Sequence, residues 1–201
     1  NEYNDLYKLI GRNDPHFLID YINIFNYKNL NLICFVYQSK KSLILMPGLL
    51  NKISLFQTRE LYDFCTPYGY TGPYMQENIS DLEIENFWKN VDKWYGENGV
   101  VSEFIRFNLD GNERGYNGNI ISTMLNVKGE IIDSEVQWSN FEHKVRKNVK
   151  KAMRENLSCR IFYQDDIPQQ EIQNFYDIYI HTMHRTNADA KFFFSLENTF
   201  T

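Results

Sequence analysis

The sequence predicts a mixed α/β (α+β) protein, and three observations carry that expectation. Residues 14–26, 80–98 and 138–155 place apolar side chains at helical spacing. Short runs rich in β-branched and aromatic residues, at 30–37, 43–47, 61–65 and 100–109, lie between and around them and are bounded by turn-forming residues. With 43% apolar and 23% charged residues, the 201-residue chain has enough apolar surface to offset chain entropy and bury a core. It is long enough for one domain plus part of another, and no internal repeat is visible.

The first helix is expected over 14–26, where Asp14 precedes Pro15 in a cap-like start and Phe17, Leu18, Tyr21, Ile24 and Phe25 recur along one side. Residues 30–37 and 43–47, separated by Gln38-Ser39-Lys40-Lys41, read as a hairpin. A third strand, 61–65, leads into Thr66-Pro67-Tyr68-Gly69-Tyr70-Thr71-Gly72-Pro73-Tyr74, too rich in Pro and Gly for regular structure and so a shaped loop. Ser80-Asp81-Leu82-Glu83 is a capping-box signature opening a helix that Gly99 ends. Strands are expected at 100–109 and 120–127, with an Asp/Gly/Asn-rich loop at 110–119 between them.

The clearest pattern spans 138–155. Ser139 and Glu142 suggest a second capping box, and Trp138, Phe141, Val145, Val149 and Ala152 recur at steps of three or four, predicting one buried face. The rest of this helix carries Lys144, Arg146, Lys147, Lys150, Lys151 and Arg154 against only Glu142 and Glu155. A strand at 159–163 and a helix after Pro168 follow, with a further helix beginning near Ala190.

Composition excludes several classes. No apolar run is long enough to span a bilayer, and the N-terminal residues lack a signal-peptide layout, so a cytoplasmic protein without a membrane span is expected. Cys34, Cys65 and Cys159 are isolated and odd in number, which fits reduced packing residues rather than disulfides or a zinc site. The 16% aromatic content accompanies abundant Asn, Ile and Lys and fits a compositional bias. A net charge of −5 argues against nucleic-acid binding by the whole surface and confines any polyanion site to a local patch. No Walker A loop, GxSxG, GxGxxG or CxxC occurs.

Three features remain as candidate chemistry. The basic strip at 144–154 either holds phosphates or is a solvated face. The loop at 66–74 either lines a substrate groove, with Gly allowing backbone approach and Tyr offering ring faces, or is a rigid turn. His181 and His184 stand three residues apart, but without a carboxylate at ligand spacing they read as a surface pair, and no metal is expected.

Several ordered segments carry a resemblance. Pro67-Tyr68-Gly69-Tyr70-Thr71-Gly72-Pro73 is similar to the PYGYGGP loop of Fem-like peptidyl and aminoacyltransferases of the GNAT superfamily. Trp138 to Ala152 resembles their W-x-x-F-x-x-K-x-R-K-N-x-x-K-A helix, and Phe175, Tyr179, Met183 and Arg185 resemble the F-x-x-x-Y-x-x-x-M-x-R segment after it. The resemblance implies two GNAT-like domains in tandem, each a mixed central sheet flanked by helices: residues 1–156 on the acceptor side, and 157–201 as the opening of a second. It implies transfer of an aminoacyl or acyl group to an amine of a cell-wall or surface-polysaccharide precursor. The donor substrate is aminoacyl-tRNA or acyl-coenzyme A, with no tightly bound cofactor.

On that template Lys144, Arg146, Lys147 and Lys151 hold phosphate, Tyr68, Gly69, Tyr70, Gly72 and Arg106 line the acceptor groove, and Asp63 and Glu103 are candidate catalytic carboxylates. The pyrophosphate-binding turn R/Q-x-x-G-x-G/A does not occur in these residues. The 201-residue chain alone is therefore expected to be inactive, with residues 157–201 either forming a contact with a second copy or being the part least protected from hydrogen exchange. The alternative is a non-catalytic module that binds a phosphorylated glycan precursor or tRNA.

Overall fold

The computed structural model describes residues 2–10, 14–26, 28, 30–53, 59–123, 125–163 and 166–199. The chain divides into two compact units, residues 1–118 with 182–201 and residues 119–181. The boundary expected after residue 156 falls inside the second unit.

The first unit is a mixed sheet flanked by helices. It contains α1 (Glu2–Ile10), a 3-10 turn (Pro15–Phe17), α2 (Ile19–Phe25), β1 (Asn31–Gln38), β2 (Leu43–Ile53), β3 (Leu61–Cys65), β4 (Tyr74–Met75), α3 (Asp81–Asn98) and β5 (Val100–Phe104). The strands run β1-β2-β3-β5, with β4 also on β2; β3 and β5 are parallel and the other pairs antiparallel. Alternation along β2 sends residues to both faces. Ile44 and Met46 join Phe64, Phe87, Trp88 and Val91 under α3, whereas Leu43 and Leu45 meet Ile10 of α1.

The strand expected at 43–47 continues to Ile53. Proline seldom sits inside a central strand because it has no N–H for the ladder. Here β2 pairs with β1 along one side, but on its other side β4 takes residues 44–45 and β3 takes 49–53. Pro47 falls in the interval between them.

The capping box at α3 forms as expected. The Ser80 hydroxyl accepts the Glu83 N–H at 3.3 Å, and the Glu83 carboxylate accepts the Ser80 N–H at 3.1 Å. Gly99 ends the helix at φ +71°, where a Cβ would stand 2.6 Å from the Glu60 carbonyl. Ser80→Ala is expected to lower stability by about 1 kcal/mol, and an unchanged urea midpoint would remove the cap from the account.

The second unit corrects several expectations. Residues 120–127 and 159–163 form no strand among the described residues. Both have the apolar pattern, but a strand also requires a neighbour for its N–H and C=O groups, and among the described residues this unit shows no other strand. Ile121, Leu125 and Val127 are correspondingly exposed. The single helix expected over 138–155 is two, α4 (Ser134–Asn140) and α5 (His143–Arg154), broken at Phe141, whose ψ of 140° is extended. Ser139 and Glu142 make no capping box. Asp133 caps α4, and Glu142 precedes α5 without a side-chain cap bond. The predicted buried face is half-exposed, with Phe141 at 36% and Val145 at 40%. The helix α6 (Gln169–Arg185) runs across the division, followed by a 3-10 turn (Ala190–Phe192) and α7 (Leu196–Thr199).

Candidate functional site

The loop at 66–73 is held from several sides. The Thr71 hydroxyl donates to the Pro67 carbonyl at 3.0 Å, and the Asn112 amide donates to the carbonyls of Thr71 and Pro73 at 2.7 and 2.9 Å. Gly69, at φ +102°, lies where a Cβ would meet the His16 ring at 2.3 Å. Gly72 is likewise left-handed, at φ +67°, with Asn112 against it. These two glycines shape the loop, while Tyr68 and Tyr70 stand half-exposed on it.

The two tyrosines line different cavities. Tyr68 borders one of about 340 Å³ together with Asp63, Cys65, Arg106, Lys28 and Lys191. Asp63 and Cys65 alternate along β3, so both project from the sheet face opposite Phe64 and α3. Arg106 follows β5 and is fixed there: its N–H donates to the Thr66 hydroxyl at 2.9 Å, and one guanidinium nitrogen donates to the Thr66 carbonyl at 2.7 Å. The guanidinium stacks 4.7 Å over the Phe104 ring. The strand expected to run to residue 109 stops at Phe104 because the next residues turn to meet this loop. Burial pushes the Cys65 thiol up, and Arg106 opposes that shift. Asp63 accepts a hydrogen bond from the Ser102 hydroxyl.

Tyr70 borders the second cavity, of about 560 Å³, with His16, Asp14, Tyr74, Glu77 and Asp110. An aromatic row joins the two: Tyr70 to His16 at 6.2 Å, His16 to Tyr21 at 5.1 Å, Tyr21 to Phe25 at 5.0 Å and Phe25 to Tyr68 at 4.7 Å. Among the described residues, three cations and one carboxylate line the first cavity, whereas three carboxylates and Arg114 line the second.

Glu103 is not brought to Asp63. It pairs in register with Phe64 and so lies on the α3 face, where it accepts the Tyr116 hydroxyl at 2.8 Å and has one oxygen enclosed. The Tyr95 hydroxyl is enclosed there too, and its pKa is raised by burial and then by Glu103.

In the second unit, His143, Arg146, Lys147, Lys150 and Arg154 line a concavity of about 450 Å³ along α5. Arg146 also donates to the Ser139 carbonyl at 2.8 Å. Of the other expected phosphate ligands, Lys151 pairs with Glu155 at 3.7 Å and Lys144 does not line the concavity. Sequence reasoning missed His16, Lys28 and Lys191. Each reaches its cavity through tertiary contacts, and only the Asp14-Pro15-His16 spacing was a local signal.

No protein-family profile, curated protein or solved structure matches this chain. No helix is long and apolar enough to cross a membrane among the described residues.

Proposed function

We propose that this protein is a Fem-like N-acyltransferase with a GNAT-like fold, transferring an aminoacyl or acyl group to an amine of a phosphorylated cell-wall or glycan precursor. The observation that carries the reading is the cavity of Asp63, Tyr68, Arg106, Lys28 and Lys191 beneath the Tyr/Gly/Pro loop. Its cations suit a phosphate or diphosphate, its tyrosine offers a ring face to a sugar or base, and Arg106 arrives pre-oriented by Thr66. The sequence resemblance and the mixed sheet, with one parallel pair among antiparallel ones, support the same reading. Under it the acceptor amine attacks the carbonyl of an aminoacyl-tRNA ester or an acyl-coenzyme A thioester, and Asp63 polarises or positions the acceptor.

A second reading is favoured by α5. Its concave basic stripe fits a polyanion such as tRNA, either as donor or as the sole partner of a non-catalytic module.

Calorimetry with a nucleotide-diphosphate-linked, amine-bearing glycopeptide separates the two. The diphosphate form is expected to bind more tightly than its dephosphorylated counterpart, with the difference shrinking as salt rises. Arg106→Met is expected to weaken binding roughly ten-fold or more, the scale of a charged hydrogen bond. Loss in Lys147→Glu/Lys150→Glu with no loss in Arg106→Met would move the anion site to α5. Equal affinity of both forms would reject the acceptor reading.

A further inference from the structure

The two edges of the first unit's sheet are built differently. The β5 edge carries the devices that keep a strand from pairing with strangers. It is five residues long, its register on β3 shifts between Tyr62 and Asp63, and it contains Glu103. The β1 edge carries none of them. Its eight residues, Asn31 to Gln38, include no charge, proline or glycine, and they meet β2 in unbroken register.

One side of β1 is taken by β2. Among the described residues no strand pairs with its other side, towards which alternate residues turn their N–H and C=O groups. The exposures agree. Ile33, Phe35 and Tyr37 pack on the cluster under α3, and Cys34 packs on the one at α1, so both faces of β1 have cover. All four are nevertheless only half-buried and Val36 is 43% exposed, whereas Ile44, Leu45 and Met46 of β2 are at 0%. What separates the two strands is the open side.

An occupant of that side must offer an extended backbone and an uncharged row of side chains, and β1 itself offers both. Antiparallel pairing with the same strand of a second copy requires a two-fold axis normal to the sheet. The pleat sets residues of one face opposite each other, so the axis passes at a residue rather than between two. Axes at Cys34 and at Phe35 give the longest overlaps within 31–38. The first would set Lys28 opposite Lys40, like charge against like. The second sets Lys28 opposite Ser42 and Lys40 opposite Leu30, and brings Phe35 against Phe35 and Ile33 against Tyr37 on the α3 face. Cross-strand aromatic and β-branched pairs of this kind stabilise a sheet. The Lys40 residues of the two copies then stand roughly 34 Å apart, at about 3.4 Å per residue, well past the screening length of about 8 Å.

We propose that β1 is the surface through which two copies of this chain associate, as antiparallel edge strands about a two-fold axis at Phe35, joining their sheets into one. The association stands independently of the transfer reading. A pairing of this length lies at the small end of protein interfaces, below about 1,200 Å², so it is reversible.

The test takes the 201-residue chain through sedimentation velocity over roughly a hundred-fold range of concentration, with hydrogen exchange at both ends of that range. A dimer that grows with concentration is expected, and with it slower exchange at every second amide from Leu32 to Gln38. Val36→Lys, which charges the edge at an exposed position, is expected to weaken association about ten-fold or more. Val101→Lys, on the β5 edge, is expected to leave it unchanged. A monomer throughout, or a dimer whose 32–38 amides exchange as fast as the monomer's, would overturn the interface. So would edge amides that are slow at every concentration, because another part of the chain would then already cover them. The exchange pattern of the unaltered chain decides the matter even if Val36→Lys fails to fold.

Discussion

Gly48→Ala is expected to destabilise the first unit by about 1–3 kcal/mol or more, the range for overpacking a filled core. A Cβ at this position would stand 1.9 Å from Cε2 and 2.1 Å from Cζ of Phe64. The two residues are diagonal neighbours on one sheet face, since Phe64 pairs with Leu50. The ring cannot retreat. It is 1% exposed and packed at 5.5 Å from Phe35 and 5.5 Å from Tyr95. Phe64→Ala, which instead empties the site, is expected to cost about 3–5 kcal/mol, a large part of the roughly 5–15 kcal/mol that holds a typical domain. Urea unfolding of Gly48→Ala, of Phe64→Leu and of Gly48→Ala/Phe64→Leu gives the coupling. The double variant is expected to be more stable than the two single changes predict by addition. Strict additivity, or a neutral Gly48→Ala, would contradict this packing.

The second large effect appears in alkali. Burial pushes the Cys34 thiol from an ordinary 9.0 up to about 12. Burial likewise raises Tyr3 and, with Glu103 adding to it, Tyr95. Each group keeps its proton in the folded chain at a pH where the unfolded chain has lost it. Their contribution is therefore complete below the ordinary values and is lost as pH rises towards the folded ones. For Cys34 the window runs from about pH 9 to about pH 12, at about 1.4 kcal/mol per pH unit, so at most about 4 kcal/mol in all. Stability measured by urea unfolding is expected to fall steeply over this window, and Cys34→Ala is expected to reduce the slope by one proton's worth. If Cys34→Ala keeps the full slope, the thiol is not buried as described. Tyrosinate absorbance is expected to show a late fraction that ionises only with unfolding.

What was legible in the sequence follows the range of the interactions. The helix α3 is specified locally, by Ser80 with Glu83 at one end and Gly99 at the other, and it formed where expected. Runs rich in β-branched and aromatic residues, bounded by turn formers, located β1, the first half of β2, and β3. Pro47 hid the second half of β2, because a gap between two partners on one edge cannot be read from β2 itself. At 120–127 and 159–163 the local pattern suggested strands but could not supply neighbours. Across Phe141 an unbroken apolar period concealed a break between helices. The helix α1 left no reading at all, although its Ile10 meets Leu43 and Leu45 on β2.

The candidate site divides in the same way. Composition alone marked the loop at 66–74 as shaped, and Asp63, Tyr68 and Arg106 do share a cavity. Tyr70 separates from Tyr68 because successive bends turn the two rings to different sides, and Glu103 separates from Asp63 because the β3–β5 register puts it on the other sheet face. The basic helix drew attention through its charge. The cations around Arg106 come from widely spaced segments, and their cluster is invisible in one dimension.

The anchoring of the loop at 66–73 has a kinetic consequence. Thr71 bonds back to Pro67, Asn112 clamps Thr71 and Pro73, and Thr66 binds Arg106 on both its hydroxyl and its carbonyl. A loop wired in this way has little entropy left to surrender, so under the proposed function recognition would proceed as lock-and-key rather than by closure. Association would be governed by encounter and charge steering, and discrimination among ligands would be written in their residence times. Loosening the Asn112 clamp would then make every ligand leave sooner while scarcely changing how fast it comes.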